Sequence, residues 1–260
     1  MKISVVTISF NQVGYLKQCI DSVLDQDYND IEYIIVDPGS TDGSRELIES
    51  YGDRIIKIFE PDSGPANGLN NGFRIATGDI FYFINSDDYV YPGAFKYAAN
   101  IFKNSKKIDV LLAAGHRVDA QGKINKTFYP SSISKYSYVY GAVTLFQQGM
   151  FFSSRAFKQV GGFNEANRTC WDGELLLDFM TSAASFKRSM KKVGAFRIYL
   201  ESITGSQRFA EKYKTDKERL FKSVYGKNHK KRTIISYYYR AFKIIGDPLY
   251  TVKHLLGNSL

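Results

Sequence analysis

The first ninety residues alternate between two kinds of apolar pattern. Runs rich in β-branched and aromatic residues, typical of strands, are separated by stretches whose apolar residues recur at helical spacing. The strand patterns cover residues 3–8, 31–36, 54–59 and 80–84, and the helical patterns cover 14–25, 44–51 and 66–77. Strands that alternate with helices form a mainly parallel sheet, because each helix crosses back over the sheet between two strands. The sequence therefore predicts an α/β fold with a Rossmann-like, mainly parallel sheet flanked by helices.

The remaining residues continue this pattern less regularly. Helices are predicted at 92–104, 154–160, 173–187 and 206–224, and strands at 108–114, 123–129, 143–148 and 193–200. From residue 226 the chain is first basic, then aromatic, then apolar, which predicts a C-terminal helical extension. We expect one domain over residues 1–225 and an extension over 226–260.

Composition narrows the class of protein. Hydrophobic residues make up 44% and aromatic residues 15% of the 260 positions, enough for a packed core. The two cysteines, Cys19 and Cys170, are too few for a disulfide framework, and helical spacing makes Cys19 a core residue. Met1 leads directly into the first strand pattern, and no apolar run is long enough to span a bilayer. We expect a cytoplasmic protein, either soluble or peripheral at the inner face of the cell membrane.

Positive charge is concentrated late in the chain. The net charge is +9, and lysines and arginines gather at 187–192 and 222–232. No nucleic-acid-binding motif accompanies them, so a nucleic acid partner is not expected. Two interpretations of the extension stay open. It is a solvated basic helix packed on the domain through its aromatic residues, or it attaches the protein to an anionic inner leaflet.

Polar residues stand where three of the predicted strands end. Ser9 follows the first strand, Asp37 the second, and Asp87 and Asp88 follow the strand at 80–84. In a parallel sheet these ends lie on one edge, where ligands bind. Two adjacent carboxylates repel each other unless a cation lies beside them, so a divalent metal that carries a phosphorylated ligand is one interpretation. A helix N-cap before the next helix is the other.

The turn after the first strand argues against several nucleotide-binding classes. Residues 9–14 form neither a dinucleotide-binding glycine motif nor a phosphate loop. A dinucleotide-dependent oxidoreductase and a phosphate-loop hydrolase are therefore disfavoured, and a bound nucleotide would need a metal to hold its phosphates. Asp37 is either a turn former or an acceptor for a base N–H, with Ser9 completing the base pocket. Asp87 is then placed to contact a ribose and Asp88 to bind the metal.

A set of motifs in a fixed order resembles the family 2 glycosyltransferases. The motifs are Ile3-Ser-Val-Val-Thr-Ile-Ser-Phe-Asn-Gln12, Ile35-Val-Asp-Pro-Gly-Ser-Thr-Asp-Gly-Ser44, Glu60-Pro-Asp-Ser-Gly64, Ala76-Thr-Gly-Asp79, Asn85-Ser-Asp-Asp88, Gln148, Gly161-Gly-Phe-Asn-Glu165 and Trp171-Asp-Gly-Glu174. Together they extend over about residues 1–205. The resemblance implies a GT-A fold, a nucleotide-sugar donor, a divalent metal and inversion at the anomeric carbon.

The same resemblance implies a set of site residues. The donor is expected to contact Ile8, Ser9, Asn11, Asp37, Gly39, Ser40, Asn67 and Asp87. Asp88, with Asp87, is the expected ligand of Mg²⁺ or Mn²⁺, since hard cations prefer carboxylate oxygens. Asp172 stands at the position of the catalytic base, and Glu174 is the alternative base or a residue that orients the acceptor. Without the resemblance Asp172 reads as a helix N-cap. Gln148, Trp171, Arg197 and Ser202 are expected on the acceptor or diphosphate side.

Three departures from the family pattern affect these expectations. Pro38 replaces an acid or a glycine, which alters the turn and keeps Asp37. Asn67 and Asn71 stand where similar proteins carry an acid and a basic residue. Tyr199 stands where relatives often have a histidine, and a phenol with a pKa near 10 is a poor ligand for magnesium or manganese. If that segment contacts the diphosphate, the contact falls to Arg197, Ser202 or Arg208.

The predicted function is therefore an inverting glycosyl transfer from a nucleotide sugar, with a UDP-sugar as first candidate, to a glycan or lipid-linked glycan. Residues 1–92 would form the nucleotide-binding half and residues 93–225 the acceptor half. The alternative is a catalytically silent protein of the same fold that binds a nucleotide sugar or serves as a scaffold. A nucleotidyltransferase is disfavoured because the first loop lacks its glycine-rich, basic signature.

Overall fold

A single mixed sheet organises the chain in the computed structural model, which describes residues 1–105, 107–143, 145–200, 202, 206 and 209–257. The strands run in the order β3-β2-β1-β4-β8-β6-β9-β5, and β7 pairs with β6. They are β1 (Ile3–Ile8), β2 (Ile31–Val36), β3 (Ile56–Ile58), β4 (Ile80–Asn85), β5 (Tyr89–Val90), β6 (Val110–Val118), β7 (Ile124–Phe128), β8 (Met150–Ser153) and β9 (Phe186–Arg197). The predicted α/β fold class is confirmed.

The first four strands form a parallel half-sheet with aligned ends. β1 pairs with β2 on one side and with β4 on the other, so that Ile8 lies opposite both Val36 and Asn85. β3 extends the parallel pairing beyond β2. Because three strands end at the same level, the residues that follow them share one rim of the sheet.

The second half of the sheet is mixed and departs in places from the predicted elements. β8 is antiparallel to both β4 and β6, β9 is parallel to β6, and β5 is antiparallel to β9. The strand predicted at 143–148 is wrong, since a 3₁₀ turn at Gln147–Gly149 precedes β8. The helix predicted to reach 187 ends at Thr181, because Ala183 takes a left-handed conformation (φ 57°) and β9 begins at Phe186.

Helices cover both faces of the sheet. They are α1 (Val13–Leu24), α2 (Ser44–Ser50), α3 (Pro65–Ile75), α4 (Ala94–Asn104), α5 (Lys135–Val139), α6 (Ser154–Val160), α7 (Trp171–Thr181), α8 (Ala210–Tyr225), α9 (Thr233–Gly246) and α10 (Pro248–Gly257). Along β4, Phe81 and Phe83 belong to one core cluster, and Tyr82 and Ile84 belong to the other. A strand buried on both faces explains why the run at 80–84 is continuously apolar. Cys19 lies in the core as predicted, fully buried.

The C-terminal helices pack on the rest of the chain. The Tyr239 ring of α9 lies 5.6 Å from that of Tyr140. Asp247 forms an ion pair with Arg188 of β9 and accepts from the Ser132 amide at 2.8 Å. Among the described residues, no helix is long and apolar enough to cross a membrane. The division of the chain at residues 92 and 225 stays a prediction.

Candidate active site

Ser9 lies at the carboxyl end of β1 with its side chain turned into the protein. It is buried, and its hydroxyl has no hydrogen-bond partner among the residues that the structure describes. Its amide donates to Val36 of β2, and Ile8 before it is half-buried. A buried hydroxyl without a partner costs free energy, about 1–3 kcal/mol, unless a ligand or water completes it. Such an atom at the rim is what a ligand site requires.

Asp37 organises the loop that follows β2. Its fully buried carboxylate accepts from the amides of Gly39 and Ser40 at 3.1 and 2.7 Å, from the Ser40 hydroxyl at 2.6 Å and from Arg45 Nε at 3.2 Å. The Ser40 hydroxyl oxygen in turn accepts from the Asn11 amide at 2.8 Å. These contacts join the loops after β1 and β2. The predicted contact of Asp37 with a base stays a prediction, while its observed bonds hold the loop.

Asp88 is the most enclosed carboxylate of the rim. It is 1% exposed and accepts from Gln148 Nε2 at 2.6 Å, from the Arg197 amide at 2.8 Å and from Asn85 Nδ2 at 3.4 Å. Burial, together with the adjacent Asp87, raises the pKa of Asp88 well above its ordinary value. The hydrogen-bond donors to Asp88 among the described residues are neutral amide groups, which leave the charge of its ionised form uncompensated. A cation beside Asp88 would supply the compensating charge.

Asp87 faces Tyr199, the residue at the expected histidine position. The Tyr199 hydroxyl lies 3.2 Å from Asp87 Oδ2 and 2.9 Å from Gln12 Oε1. Burial and the nearby Asp87 carboxylate raise the pKa of Tyr199, so its phenol stays protonated and serves as a hydrogen-bond donor. Burial also raises the pKa of Asp87. Tyr199 thus orients Asp87 and does not replace the histidine as a metal ligand.

The acidic pair suits one kind of metal site. Within the described part of the chain, no group of three or more histidine, cysteine, aspartate or glutamate residues is gathered for a metal. Magnesium takes one or two carboxylates and fills its other positions with water and substrate phosphates. Asp87 and Asp88 fit that donor set, and manganese accepts the same oxygen ligands. A metal here would be completed by the substrate.

Arg197 braces the rim from the end of β9. Its buried guanidinium donates to the carbonyls of Asp87 at 2.9 Å and Ala120 at 2.8 Å and to Gln18 Oε1 at 2.6 Å. It also lies over the Tyr15 ring, 4.6 Å from the centroid. Its donors are turned into the protein, which argues against the predicted diphosphate contact. Arg197 instead holds the main chain that carries the acidic pair.

The other residues predicted on the acceptor or diphosphate side also make contacts within the protein. Gln148 is buried and donates to Asp88, so its amide supports the predicted metal ligand. The Ser202 hydroxyl donates to the Tyr199 carbonyl at 2.7 Å and closes the turn after β9. Trp171 is buried in the apolar cluster on one face of the sheet. Burial argues against a role of the Trp171 ring as an exposed acceptor platform. Arg208 lies outside the described residues.

Asp172 occupies the first turn of α7 without capping it. The N-cap is Cys170, so the alternative interpretation of Asp172 as the cap is not what the structure has. Asp172 is half-buried, and burial raises its pKa, opposed by the N-terminal amides of the helix and by the Lys217 ammonium group. Lys217 of α8 donates to the Tyr138 hydroxyl at 3.1 Å. A carboxylate whose pKa is raised toward the working pH is suited to accept a proton.

Glu174 has a different environment on the same helix. Arg219 of α8 holds both of its oxygens at 2.6 Å, and Asn164 and Asn167 donate to them at 3.0 and 2.6 Å. These hydrogen bonds outweigh burial and lower the pKa of Glu174. A carboxylate that accepts four hydrogen bonds is a poor base. The contacts argue against Glu174 as the alternative base and make it the residue that ties the 164–170 loop to α8.

Two asparagines of α3 lie near the rim of the sheet, and the one that sequence reasoning missed, Asn70, links α3 to the segment before α7. Asn67, predicted at the donor, accepts from the Ser63 amide at 3.1 Å in the first turn of α3. Asn70, one turn later, exchanges two 2.9 Å hydrogen bonds with the main chain of Phe163 and donates to Glu165 at 2.9 Å. An asparagine inside a predicted helix carries no local signal of a partner ninety residues away.

The arrangement resembles solved glycosyltransferase structures. The chain matches Staphylococcus aureus TarS 1–349 in complex with UDP-GlcNAc at a TM-score of 0.67, with 19% identity, over 94% of this chain and 72% of that one. It matches a Pyrobaculum calidifontis mannosyltransferase in complex with GDP-Man and Mn²⁺ at 0.66, with 13% identity, over 98% and 73%. The chain therefore has the GT-A fold, as predicted.

Sequence comparison identifies the family. The model of glycosyl transferase family 2 matches residues 4–190. An uncharacterized glycosyltransferase of Nostoc is 37% identical over 51% of this chain and 41% of its own length, and one of Rickettsia typhi is 27% identical over 68% and 58%. Chondroitin synthase of Escherichia coli is 25% identical over 85% of this chain and 32% of its own length. The chain belongs to glycosyl transferase family 2 and spans about half the length of the first two relatives.

Proposed function

We propose that this chain transfers a sugar from a nucleotide-sugar donor to a hydroxyl group of a glycan or lipid-linked glycan in polysaccharide synthesis. The observation that carries the proposal is the Asp87–Asp88 pair at the rim of the sheet, where burial raises the pKa of both carboxyls and a cation would favour their charged forms. A metal-bound diphosphate meets that requirement. The relatives that bind UDP-GlcNAc and GDP-Man support a nucleotide sugar, and we take a UDP-hexose or UDP-N-acetylhexosamine as the first candidate. Chondroitin synthase supports a polysaccharide product.

In the proposed reaction Asp172 is the general base. Its carboxylate takes the proton of the acceptor hydroxyl, and the freed oxygen bonds to the anomeric carbon of the donor sugar. The bond from that carbon to the diphosphate breaks on the opposite side, so the nucleoside diphosphate leaves and the configuration inverts. Residues 1–92 would hold the nucleotide and residues 93–225 the acceptor. The Ser9 hydroxyl, which has no hydrogen-bond partner among the described residues, would contact the donor.

Asp87 and Asp88 are the residues that would hold the metal, Mn²⁺ or Mg²⁺. When bound, the metal neutralises charge that builds on the leaving diphosphate. Gln148 and the Arg197 amide orient Asp88, and Tyr199 orients Asp87. We also propose a cytoplasmic location, because both cysteines are free and buried, which fits a reducing compartment.

A thermal-shift panel of UDP-glucose, UDP-N-acetylglucosamine and GDP-mannose, with and without manganese, tests the donor and the metal together. We expect one nucleotide to stabilise the protein only when manganese is present, by about 2.7 kcal/mol at a hundredfold excess over its dissociation constant. Asp88→Asn should abolish the manganese-dependent part. If no nucleotide sugar stabilises the wild-type protein under any condition, the proposal is wrong.

A nucleotide-sugar-binding protein without transferase activity is the second candidate. The contact that favours it is the Tyr199 hydroxyl on Asp87, which occupies an acidic oxygen that a metal would otherwise use. Release of free sugar and nucleoside diphosphate from the stabilising donor separates the two candidates. Metal-dependent binding with no release or transfer, for any donor that binds, would favour the silent protein.

A further inference from the structure

Helix α9 presents its apolar side to solvent. The exposed fractions are 74% for Ile234, 62% for Tyr238, 60% for Phe242 and 80% for Ile245. These positions are separated by three or four residues and therefore share one face of the helix. Tyr237 and Ile244, at 63% and 54%, widen the same face. A surface helix of a globular domain ordinarily turns such a stripe toward the core.

The opposite side of α9 is held against the protein by polar groups. The Ser236 hydroxyl donates to the Tyr140 carbonyl, and Lys243 Nζ donates to the Ala142 carbonyl, both at 2.9 Å. Tyr239 packs between them on Tyr140. Lys243 and the partly buried Ile235 thus lie on the inner side, and Ile234, Ile244 and Ile245 lie on the outer side. The orientation is fixed by specific contacts, so the outward apolar side is a feature of the folded protein.

Positive charge is concentrated in the same segment of the chain. From residue 226 onward the chain carries one acid, Asp247, which is already paired with Arg188. The exposed cations of the same segment are Lys227, Lys230, Lys231, Arg232, Arg240 and Lys253, of which Lys231 donates to the Val139 carbonyl. An apolar surface in a segment rich in exposed cations matches the two properties of an anionic bilayer surface, its hydrocarbon boundary and its negative headgroups.

We propose that the α9 face, formed by Ile234, Tyr237, Tyr238, Phe242, Ile244 and Ile245, docks the protein on an anionic membrane surface. Tyrosines suit the headgroup level, because the ring is apolar and the hydroxyl stays hydrated. Isoleucine and phenylalanine enter the acyl boundary. A second copy of the chain fits less well, because pairing two such faces would bring the cations of both copies together.

Docking through α9 also bears on the acceptor. α9 packs on Tyr140, and the Tyr138 hydroxyl of the same short segment lies against Gly173, next to Asp172. The docking face and the base are thus connected through the short segment that carries Tyr138 and Tyr140. The docking surface therefore favours a lipid-linked acceptor over a free one, an extension that rests on the function proposed above.

Vesicle binding tests the proposal without any sugar transfer. The full chain is sedimented with vesicles of phosphatidylcholine alone and of equal parts phosphatidylcholine and phosphatidylglycerol. Ile234→Gln/Ile244→Gln/Ile245→Gln removes three apolar side chains of the α9 face. A matched control, Ile56→Gln/Ile75→Gln/Ile124→Gln, removes three exposed isoleucines from β3, α3 and β7. A cooperative thermal unfolding transition of each variant without ligand, at the wild-type temperature, reports that the domain is folded.

We expect the wild type and the control to bind the phosphatidylglycerol vesicles and not the neutral ones, with binding that weakens as salt is raised. The α9 variant should bind at least about tenfold more weakly. Equal binding by the folded α9 variant, or no preference for anionic vesicles in the wild type, would overturn the proposal. So would a wild-type dimer in solution that the α9 substitutions dissociate. The thermal-shift panel of nucleotide sugars tests the proposed function separately, whatever the outcome of vesicle binding.

Discussion

Asp88 and Asp172, the two aspartates with the central roles in the proposed reaction, are enclosed by different parts of the chain. Asp88 is held by Asn85 three residues before it and by Gln148 and the Arg197 amide, all on or beside the central sheet. Asp172 lies under α8, whose Lys217 is its nearby cation. The residues around Asp88 belong largely to the segment that the family model matches, residues 4–190. Helix α8, beside Asp172, begins after that segment at Ala210.

Because different parts of the chain enclose the two aspartates, the proposed donor site can stay the same while the acceptor changes. The donor rim depends on strand register and on short loops that bond to each other. The surroundings of the base depend on a helix that is attached through its side chains. Leu220 and Phe221 pack in the apolar core, Arg219 binds Glu174 and Lys217 donates to Tyr138. We infer that changes in α8 alter acceptor use and base strength without disturbing the donor rim. The predictions below test this separation.

The largest expected effect comes from removing the base. Asp172→Asn keeps the shape of the side chain and abolishes its ability to take a proton, so transfer should fall by about 10²–10⁴-fold. Manganese-dependent donor binding should be unchanged, because the donor rim does not include Asp172. Initial rates of transfer and thermal shifts with the donor measure the two properties separately.

Asp178→Asn is the matched control for this substitution. Asp178 is a half-buried carboxylate on the same helix, and burial raises its pKa to about 6. It lies two turns from the helix N-terminus, so its loss should leave the transfer rate within about twofold of wild type. Retained transfer in Asp172→Asn, or an equal loss in Asp178→Asn, would refute Asp172 as the base.

The second prediction concerns the residue that orients Asp88. Gln148→Leu removes the 2.6 Å hydrogen bond to Asp88 Oδ2, and loss of such a supporting bond costs about 10–100-fold in metal affinity. The manganese concentration for half-maximal donor-dependent stabilisation should rise accordingly, while Asp172 is untouched. Gln147→Leu is the control, since this neighbouring buried glutamine donates to the Phe83 carbonyl instead. A similar rise in both variants would mean that general destabilisation is the cause.

The parts of the site that could be predicted from the sequence depend on local patterns. The strand at 80–84 and the acids after it are readable because apolar runs and strand ends are adjacent in the chain, and parallel pairing then places Ser9, Asp37 and Asp88 on one rim. The identity of the fold and family followed from motifs in order. None of this required knowledge of which way a side chain points.

The direction in which a side chain points, and its partners far away in the sequence, could not be predicted. Arg197 stands at a strand end where a diphosphate contact is plausible, yet its guanidinium turns inward to the carbonyls of Asp87 and Ala120. Glu174 is predicted as the alternative base or as a residue that orients the acceptor, yet Arg219, forty-five residues later, holds its carboxylate. A helix that reads as polar and exposed, such as α8, gives no sequence signal of which of its cations face the domain.

The third prediction tests the attachment of α8. Arg219→Met removes the paired hydrogen bonds to Glu174, and because the Arg219 side chain is 43% exposed we expect a loss of only about 1–2 kcal/mol in the free energy of unfolding. Urea denaturation measures it. The double variant Arg219→Met/Glu174→Gln should lose less than the sum of the single variants, since both act on one pair. Lys222→Met, on an exposed pair of the same helix, should have no measurable effect.

The smallest effect should come from the cation beside the base. The Lys217 ammonium lowers the pKa of Asp172, while burial has the larger, opposing effect. Asp172 also interacts electrostatically with Tyr138 and Cys170. In Lys217→Met the pKa of Asp172 should therefore rise. Because the base works deprotonated, the acidic limb of the pH profile of kcat/KM should move to higher pH, and activity well above that limb should stay close to wild type. Lys217→Arg keeps the charge and should restore the wild-type limb. An unchanged acidic limb in the methionine variant would show that α8 does not set the pKa of Asp172. The influence of α8 on the reaction would then be limited to acceptor binding.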